Sequence, residues 1–356
     1  FQGVYMKTTF GNTTGVPLGK VKFPIGVKLA VIIGTVVLVS LGTVTVLNSY
    51  FIGKDVQITA EENNLSANSR AADTVEDKLT TIRSNVFQLL DLINVMSGGR
   101  SSAVSKQAEA FFFERNQDIA SVHILSAGGY GESGRLTGSD AEIVNARFFI
   151  SNETDSGVLR SFLAASSDAV RRSCSGETIA LNASPFFGIP VMSLLFPWKE
   201  NGRDQTCVIT FSIEGISDIL GSDSVNTTFM INDSDELLLH PETDRVLIGE
   251  SFKNHPLVME MRQGNHNRDD SMQVPFVMED GSGKKSHYYG AYQKLSVADI
   301  VMATVVPLDS VLEGVRTTRR NNIYLTGIVF FLSNLLQRHM KFKKVILTRP
   351  LLIRLT

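Results

Sequence analysis

Twenty-five consecutive residues, Leu29 to Gly53, carry no charge and enclose the core LAVIIGTVVLVSLGTVTVL. About 20 apolar residues cross a bilayer core, so the run is long enough to do so. Its β-branched residues would suit a buried strand, but strands of this length are rare. A cleaved signal peptide is the competing reading. Its apolar core is about 7–15 residues long and ends at a small-residue cleavage site. Here the run is longer and leads into Tyr50, Phe51 and Ile52. The expectation is an uncleaved transmembrane helix over 29–52.

A second uncharged run, Asn321–Gln337, has 17 residues between Arg319-Arg320 and Arg338. At about 1.5 Å per residue it falls slightly short of the bilayer core, so the flanking arginines must snorkel. A soluble amphipathic helix is its alternative. Charge sorts around these two runs. The stretches 1–52 and 321–356 hold no acidic residue and carry 4 and 6 basic ones. The middle holds 24 Lys and Arg against 36 Asp and Glu, a net −12 within a chain total of −2. Basic ends stay in the cytoplasm. The expected order is therefore a cytoplasmic N-terminus (1–28), a first span (29–52), an exported body (53–320), a second span (321–337) and a basic cytoplasmic tail (338–356). This places the chain in the inner membrane with its body outside. An acidic body repels phosphates, which argues against a nucleic-acid partner. Export means an oxidising compartment, so Cys174 and Cys207 are candidates to pair. Two buried free thiols are the alternative.

Residues 54–97 contain no proline and read as one long helix, stopped by Gly98-Gly99. Leu65, Ala72, Val75, Leu79, Ile82, Val86, Leu89 and Ile93 recur at spacings of three and four once the gap at Asn68 is allowed, which is a heptad seam. The stripe can pack on its own domain or on a twin helix, and a homodimer joined along it is expected. From about 117 the period changes to that of strands. Ile119–Ser126, Glu177–Ser184, Val191–Phe196 and Gln205–Ile213 form one group, with a short helix at Glu214–Leu220. Thr227–Ile231, Leu237–His240, Met272–Met278, His287–Leu295 and Ile300–Val306 form a second, with a helix across Pro256–Gln263. The fold class is α+β: two small sheet units, 117–224 and 225–320, on a long helical segment, 53–116.

The second unit, TTFMINDSDELLLHPETDRVLIGESF, is similar to the Leu-x-His-Pro region of the double Cache (dCache) sensor family, whose two PAS-like modules sit on a membrane-emerging helix. Phe196-Pro197-Trp198 and VITFSIEGISDIL resemble that family's central strands and closing helix. GAYQKLSVADIVMATVVPLDSVLEGVRTTRRNNIYLTGIVF resembles the exit of such sensors in spirochete membrane adenylate/guanylate cyclases, and chemoreceptors share the module. LTRPLLIRLT looks like the start of a HAMP linker. The segment Gln337–Val345 is more basic than that family's junction.

No Gly-x-Gly-x-x-Gly after a strand, P-loop, His-Glu-x-x-His or Gly-x-Ser-x-Gly motif occurs. Gly128–Gly131 reads as a turn. The histidines at 240, 255, 266 and 287 lack the close pairing of zinc ligands. No metal or cofactor is expected, and this chain is read as non-enzymatic. Sensor pockets are apolar with a few polar groups. Trp198, Tyr130, Arg147 and Arg160 are the candidate ligand residues, with Trp198 as a core residue in the competing view. The Arg-x-Trp-Tyr run of the family's amino-acid binders is not found here, so an unidentified small molecule is the expected ligand. The resemblance implies an input module that controls a cytoplasmic output, most readily a cyclase, with a chemotaxis receptor as alternative. A hydrolase or a membrane scaffold represents the other classes.

Overall fold

The computed structural model describes residues 25–97, 102–127, 141–200, 202–220, 226–263, 272–279 and 283–352. They fall into two compact bodies. One is Gly53–Gly314. The other takes the first helix up to Ile52 and the last helix from Val315.

Helix α1 runs Ile25–Ser97 and α2 runs Ser102–Arg115. Gly98-Gly99 and Tyr130 lie outside the described residues. Up to Ile52, α1 exposes Ile32, Ile33, Val36, Val39, Val44 and Val46. Among the described residues it is the one helix long and apolar enough to cross a membrane, with a window of mean hydropathy 1.9. The 321–337 run lies within α10 (Leu308–Leu352), which does not reach that standard.

The body Gly53–Gly314 holds two antiparallel five-stranded sheets. The first contains β1 (Ile119–Ser126), β2 (Ala141–Val144), β3 (Ile179–Asn182), β4 (Val191–Glu200) and β5 (Arg203–Ser212), in the order β2-β1-β5-β4-β3. The second contains β6 (Thr227–Ile231), β7 (Leu237–Leu239), β8 (Met272–Glu279), β9 (Lys285–Lys294) and β10 (Val301–Pro307), in the order β7-β6-β10-β9-β8. The two orders are the same once each set is counted from its own first strand. Between β2 and β3 come three short helices: α3 (Ala146–Ser151), α4 (Val158–Ala165) and α5 (Ser167–Cys174). Helix α6 (Ser184–Phe187) precedes β4, and α7 (Glu214–Leu220) follows β5. In the second half, α8 (Thr243–Leu247) and α9 (Pro256–Gln263) lie between β7 and β8.

Strand alternation gives each sheet two different faces. In the first sheet, Val122, Ile124, Leu194, Phe196, Cys207, Ile209 and Phe211 join α1 and the second sheet in one core. The opposite face, with Leu125, Leu195 and Val208, packs on Phe148, Phe149, Phe162 and Leu163 of α3 and α4 in a separate core. This settles the cysteines. Cys207 lies in the first core, whereas Cys174, at the end of α5, packs on the second. The sheet stands between them, so of the two alternatives the structure has the free thiols, and the Cys174 thiol donates to the Leu125 carbonyl at 3.7 Å. Burial pushes the Cys207 thiol up to about 12.

The heptad seam needs a second correction. Ala72, Val75, Leu79, Ile82, Val86 and Leu89 are no more than 6% exposed and belong to the core of their own chain. Leu65 and Ile93 are half-buried. Two sheets consume the stripe, and the outward residues Glu62, Asn63, Ser66, Arg70, Asp73, Thr74 and Asp77 offer no apolar seam to a twin helix. The gap at Asn68 also has a partner. Asn68 and Asn64 are buried, Thr304 Oγ1 donates to Asn68 Oδ1 at 3.0 Å, and Asn64 Nδ2 donates to the Thr304 carbonyl at 3.3 Å. Further hydrogen bonds from Ser296 to Glu76 and from Gln57 to the Tyr289 hydroxyl tie α1 to the second sheet.

Candidate functional site

The outer face of the first sheet is polar where a core would normally be apolar. Ser121 and His123 of β1, Ser193 of β4, and Thr206 and Thr210 of β5 are fully buried. The register places Ser121 opposite Thr210 and Thr210 opposite Ser193, so these side chains share one face. Most of them satisfy one another. Ser193 and Thr210 are bonded at 2.8 Å. Ser173 of α5 and Thr206 are bonded at 2.7 Å, and the Thr206 hydroxyl also reaches the Phe196 carbonyl.

Ser121 and His123 do not follow this pattern. Among the described residues the Ser121 hydroxyl and both imidazole nitrogens of His123 meet no partner within hydrogen-bond distance, although neither residue has any exposed surface. A buried polar group left in this state costs about 1–3 kcal/mol, and such groups are uncommon in native interiors. His123 pairs across the strands with Glu142 of β2, and Nε2 lies 3.6 Å from Oε1, long for a hydrogen bond. The imidazole is nonetheless the main cause that holds the Glu142 carboxyl below its ordinary value, with the charge of Arg160 adding to it. Asn145 positions this edge. Its side chain caps α3 by accepting from the Phe148 N–H and donates to the Ile119 carbonyl at 2.9 Å, joining β1 to the helix that follows β2. The result is a buried imidazole and hydroxyl two residues apart, beside an ionised carboxylate with a guanidinium nearby. Such a group can bind a small polar molecule, supplying a donor or acceptor at each ring nitrogen and the hydroxyl.

Of the expected ligand residues, the structure brings Arg160 to this group through its charge on Glu142. Arg147 stands exposed on α3. Trp198 is on the other face of the sheet. Its ring meets Phe87 of α1 edge-on at 5.2 Å, so it is a packing residue, separated from Arg160 by the sheet itself. Ser121, His123 and Glu142 escaped the sequence reading, and their one signal is a histidine inside the apolar strand IASVHILS.

His240 and His255 of the second half are packed rather than poised. The His255 ring stacks on Phe252 at 5.1 Å and meets Phe229 and Phe276 edge-on. Burial lowers its pKa to about 4. His240 Nδ1 accepts from the Glu242 N–H at 2.9 Å, which fixes the exit of β7. Beside it, Arg245 makes a two-pronged pair with Glu250, with bonds of 2.6 and 2.7 Å. No group of three or more metal-ligating side chains occurs among the described residues.

No family model matches the chain, and no curated protein matches it. Solved structures do resemble it. The extracellular domain of histidine kinase soHK1S-Z6 is 12% identical with a TM-score of 0.48, covering 73% of this chain and 98% of that one. The sensory domain of the Campylobacter jejuni chemoreceptor Tlp3 with isoleucine bound is 10% identical with a TM-score of 0.44, over 73% and 98%. The ligand-binding domain of the Pseudomonas aeruginosa chemoreceptor PctC with GABA is 14% identical with a TM-score of 0.43, over 70% and 99%. Likeness at this level identifies neither a ligand nor an output for this chain.

Proposed function

We propose that this chain is the ligand-sensing input of a membrane signalling protein, built on the double Cache plan, and that it does no catalysis itself. Its body lies outside the inner membrane between spans at 29–52 and 321–337. The observation that carries the reading is the fully buried Ser121 hydroxyl and His123 imidazole, without a hydrogen bond among the described residues and with the Glu142 carboxylate 3.6 Å from Nε2. An enzyme would use such groups on a reacting bond, but no metal cluster accompanies them among the described residues, and the Ser121 hydroxyl makes no hydrogen bond to the imidazole. A binding site needs only their complement in a ligand. Glu142 favours a cationic group and Arg160 an anionic one, so the ligand is a small polar molecule with a hydrogen-bonding group for Ser121 and His123.

Occupation of β1 reaches β5 directly, since the two are paired along their length. In the second sheet β10 runs into α10 with no intervening residue, and α10 contains the 321–337 run. A ligand that binds one arrangement better than another shifts their balance by its differential affinity. The output is read as a nucleotide cyclase from the resemblance of this exit segment, and a chemoreceptor uses the same front end. Cyclase residues in the reading frame beyond Thr356 would distinguish them. The dimer belongs to the proposal with a different contact. Leu92 and Phe111 are exposed beside a groove of about 340 Å³ on α1 and α2, and they offer an apolar surface to a second copy.

The test is a thermal-shift screen of the full chain in nanodiscs against small amines, carboxylates and zwitterions. A compound that binds the folded state at 100 times its Kd stabilises by about 2.7 kcal/mol. The shift should vanish in His123→Leu and weaken in Ser121→Ala, while both variants keep or raise the unliganded Tm because a buried polar group is removed. A shift that survives both substitutions refutes the site.

A further inference from the structure

A second cavity, of about 360 Å³, opens where the two sheets meet. Ile213, at the end of β5, and Leu239 and Val246, of β7 and α8, are each no more than 2% exposed and supply an apolar floor. His240 stands beside them, with Nδ1 occupied by the Glu242 N–H. The mouth is polar and exposed, with Glu214 at the start of α7 and Thr243 at the start of α8. The volume falls in the range of small-molecule sites, and apolar walls with one or two placed polar groups are their usual lining. The charges around it are unequal. Among the described residues lining the cavity Glu214 is the one carboxylate; the imidazole is held below its ordinary pKa by burial and by the charge of Arg245, and Arg245, 3.3 Å from the imidazole Nε2, is itself paired with Glu250.

We infer that this cavity is an effector site for a small aliphatic amine, with the alkyl chain on Ile213, Leu239 and Val246 and the ammonium group at Glu214. It is distinct from the Ser121–His123 site, which lies on the α3–α5 face of the first sheet. Its walls come from both halves, and the junction between them is tightly bonded. Asn182 Nδ2 donates to the carbonyls of Leu237 and Val246, at 3.1 and 2.7 Å, and Asn232 Nδ2 donates to the Ala180 carbonyl at 3.2 Å. Val246 is thus both floor of the cavity and acceptor of the junction bond. An occupant bears on α8, one of the elements through which the first sheet holds the second, and can bias the junction without touching the primary site.

The experiment uses the full chain in nanodiscs with n-butylammonium as probe, and a diazirine-bearing alkylamine of similar length for labelling. Labelling should saturate, map to the peptides around Ile213 and Leu239–Val246, and be competed by n-butylammonium. Glu214→Gln should weaken competition about fivefold, the scale of one exposed charge pair. Thr243→Trp, at an exposed position, should fill the mouth and abolish labelling, while His123→Leu should leave it unchanged. Labelling that is absent, that persists in Thr243→Trp, or that butyrate competes as well as the amine does overturns the assignment. Loss of labelling in His123→Leu would likewise overturn it, by placing the amine in the other site.

Discussion

Replacing Asn182 tests whether the two sheets form one cooperative body. Its amide is 5% exposed, donates to the carbonyls of Leu237 and Val246, and accepts from the Ser184 N–H at 2.9 Å. Asn182→Ala removes three hydrogen bonds at about 1 kcal/mol each, a loss of about 3 kcal/mol. For a body of this size that corresponds to a fall in Tm of about 6–12 °C. Asn182→Asp separates hydrogen bonding from shape. It keeps the acceptor for Ser184 but points carboxylate oxygens at two carbonyls, so at pH 7 it should be less stable than the alanine variant despite its matching volume. Its deficit should shrink toward acid as the carboxyl takes a proton and regains a donor. Differential scanning fluorimetry of the nanodisc-embedded chain at pH 7 and 5 measures both. A shift below 2 °C for Asn182→Ala, or an aspartate variant as stable as wild type, would refute the reasoning.

The double substitution Leu79→Asp/Ile82→Asp should unfold the body rather than yield a folded monomer, since burying each side chain contributes about 1.5–3 kcal/mol and the new charges would be buried too; circular dichroism with analytical ultracentrifugation decides. At Gly290 a Cβ would stand 2.4 Å from Leu257 Cδ1 and 3.0 Å from its Cγ, and Leu257 is 1% exposed, so Gly290→Ala should cost about 1–3 kcal/mol in denaturant melts. His255 makes stability depend on pH. Its folded pKa of about 4 lies below the ordinary 6.5, so the unfolded chain takes the proton first, and stability falls between pH 6.5 and 4 and levels off below. The ring is only half-buried, so the loss should be about 2 kcal/mol rather than the full shift, and His255→Phe should flatten that part of the pH profile.

The strands were legible because alternation over five to ten residues is a strong local signal: Ile119–Ser126 and Thr227–Ile231 were each located to the residue. Helices α3 to α5 were not, since six to eight residues give barely two turns of period to read. Strand β2 has four residues, and only pairing with β1 makes it a strand. The seam on α1 was legible as a stripe but not as to its partner, because a heptad pattern is the same whether the opposing surface is a helix or two sheets. The site was the least legible part. His123 in an apolar strand has the appearance of a satisfied core histidine, and only the three-dimensional structure shows that among the described residues its nitrogens make no hydrogen bond. Trp198 could be read from the sequence as a ligand residue or as a core residue, because its face of the sheet is set by a single step of parity from Pro197.

The shared strand order has a consequence for how such a chain can be assembled. In each sheet the first and last strands are bonded neighbours at the centre: Ile119 lies opposite Phe211, and Thr227 opposite Val305. Each set of five strands therefore begins and ends at nearly the same point in space, a few ångströms apart across one ladder. A segment with adjoining ends can be copied in tandem or spliced into a loop without stretching the chain on either side. The two halves are such cassettes, and gene duplication of one ancestral copy would account for both, with the edge strands and the short helices beside them free to diverge while the central pair is kept.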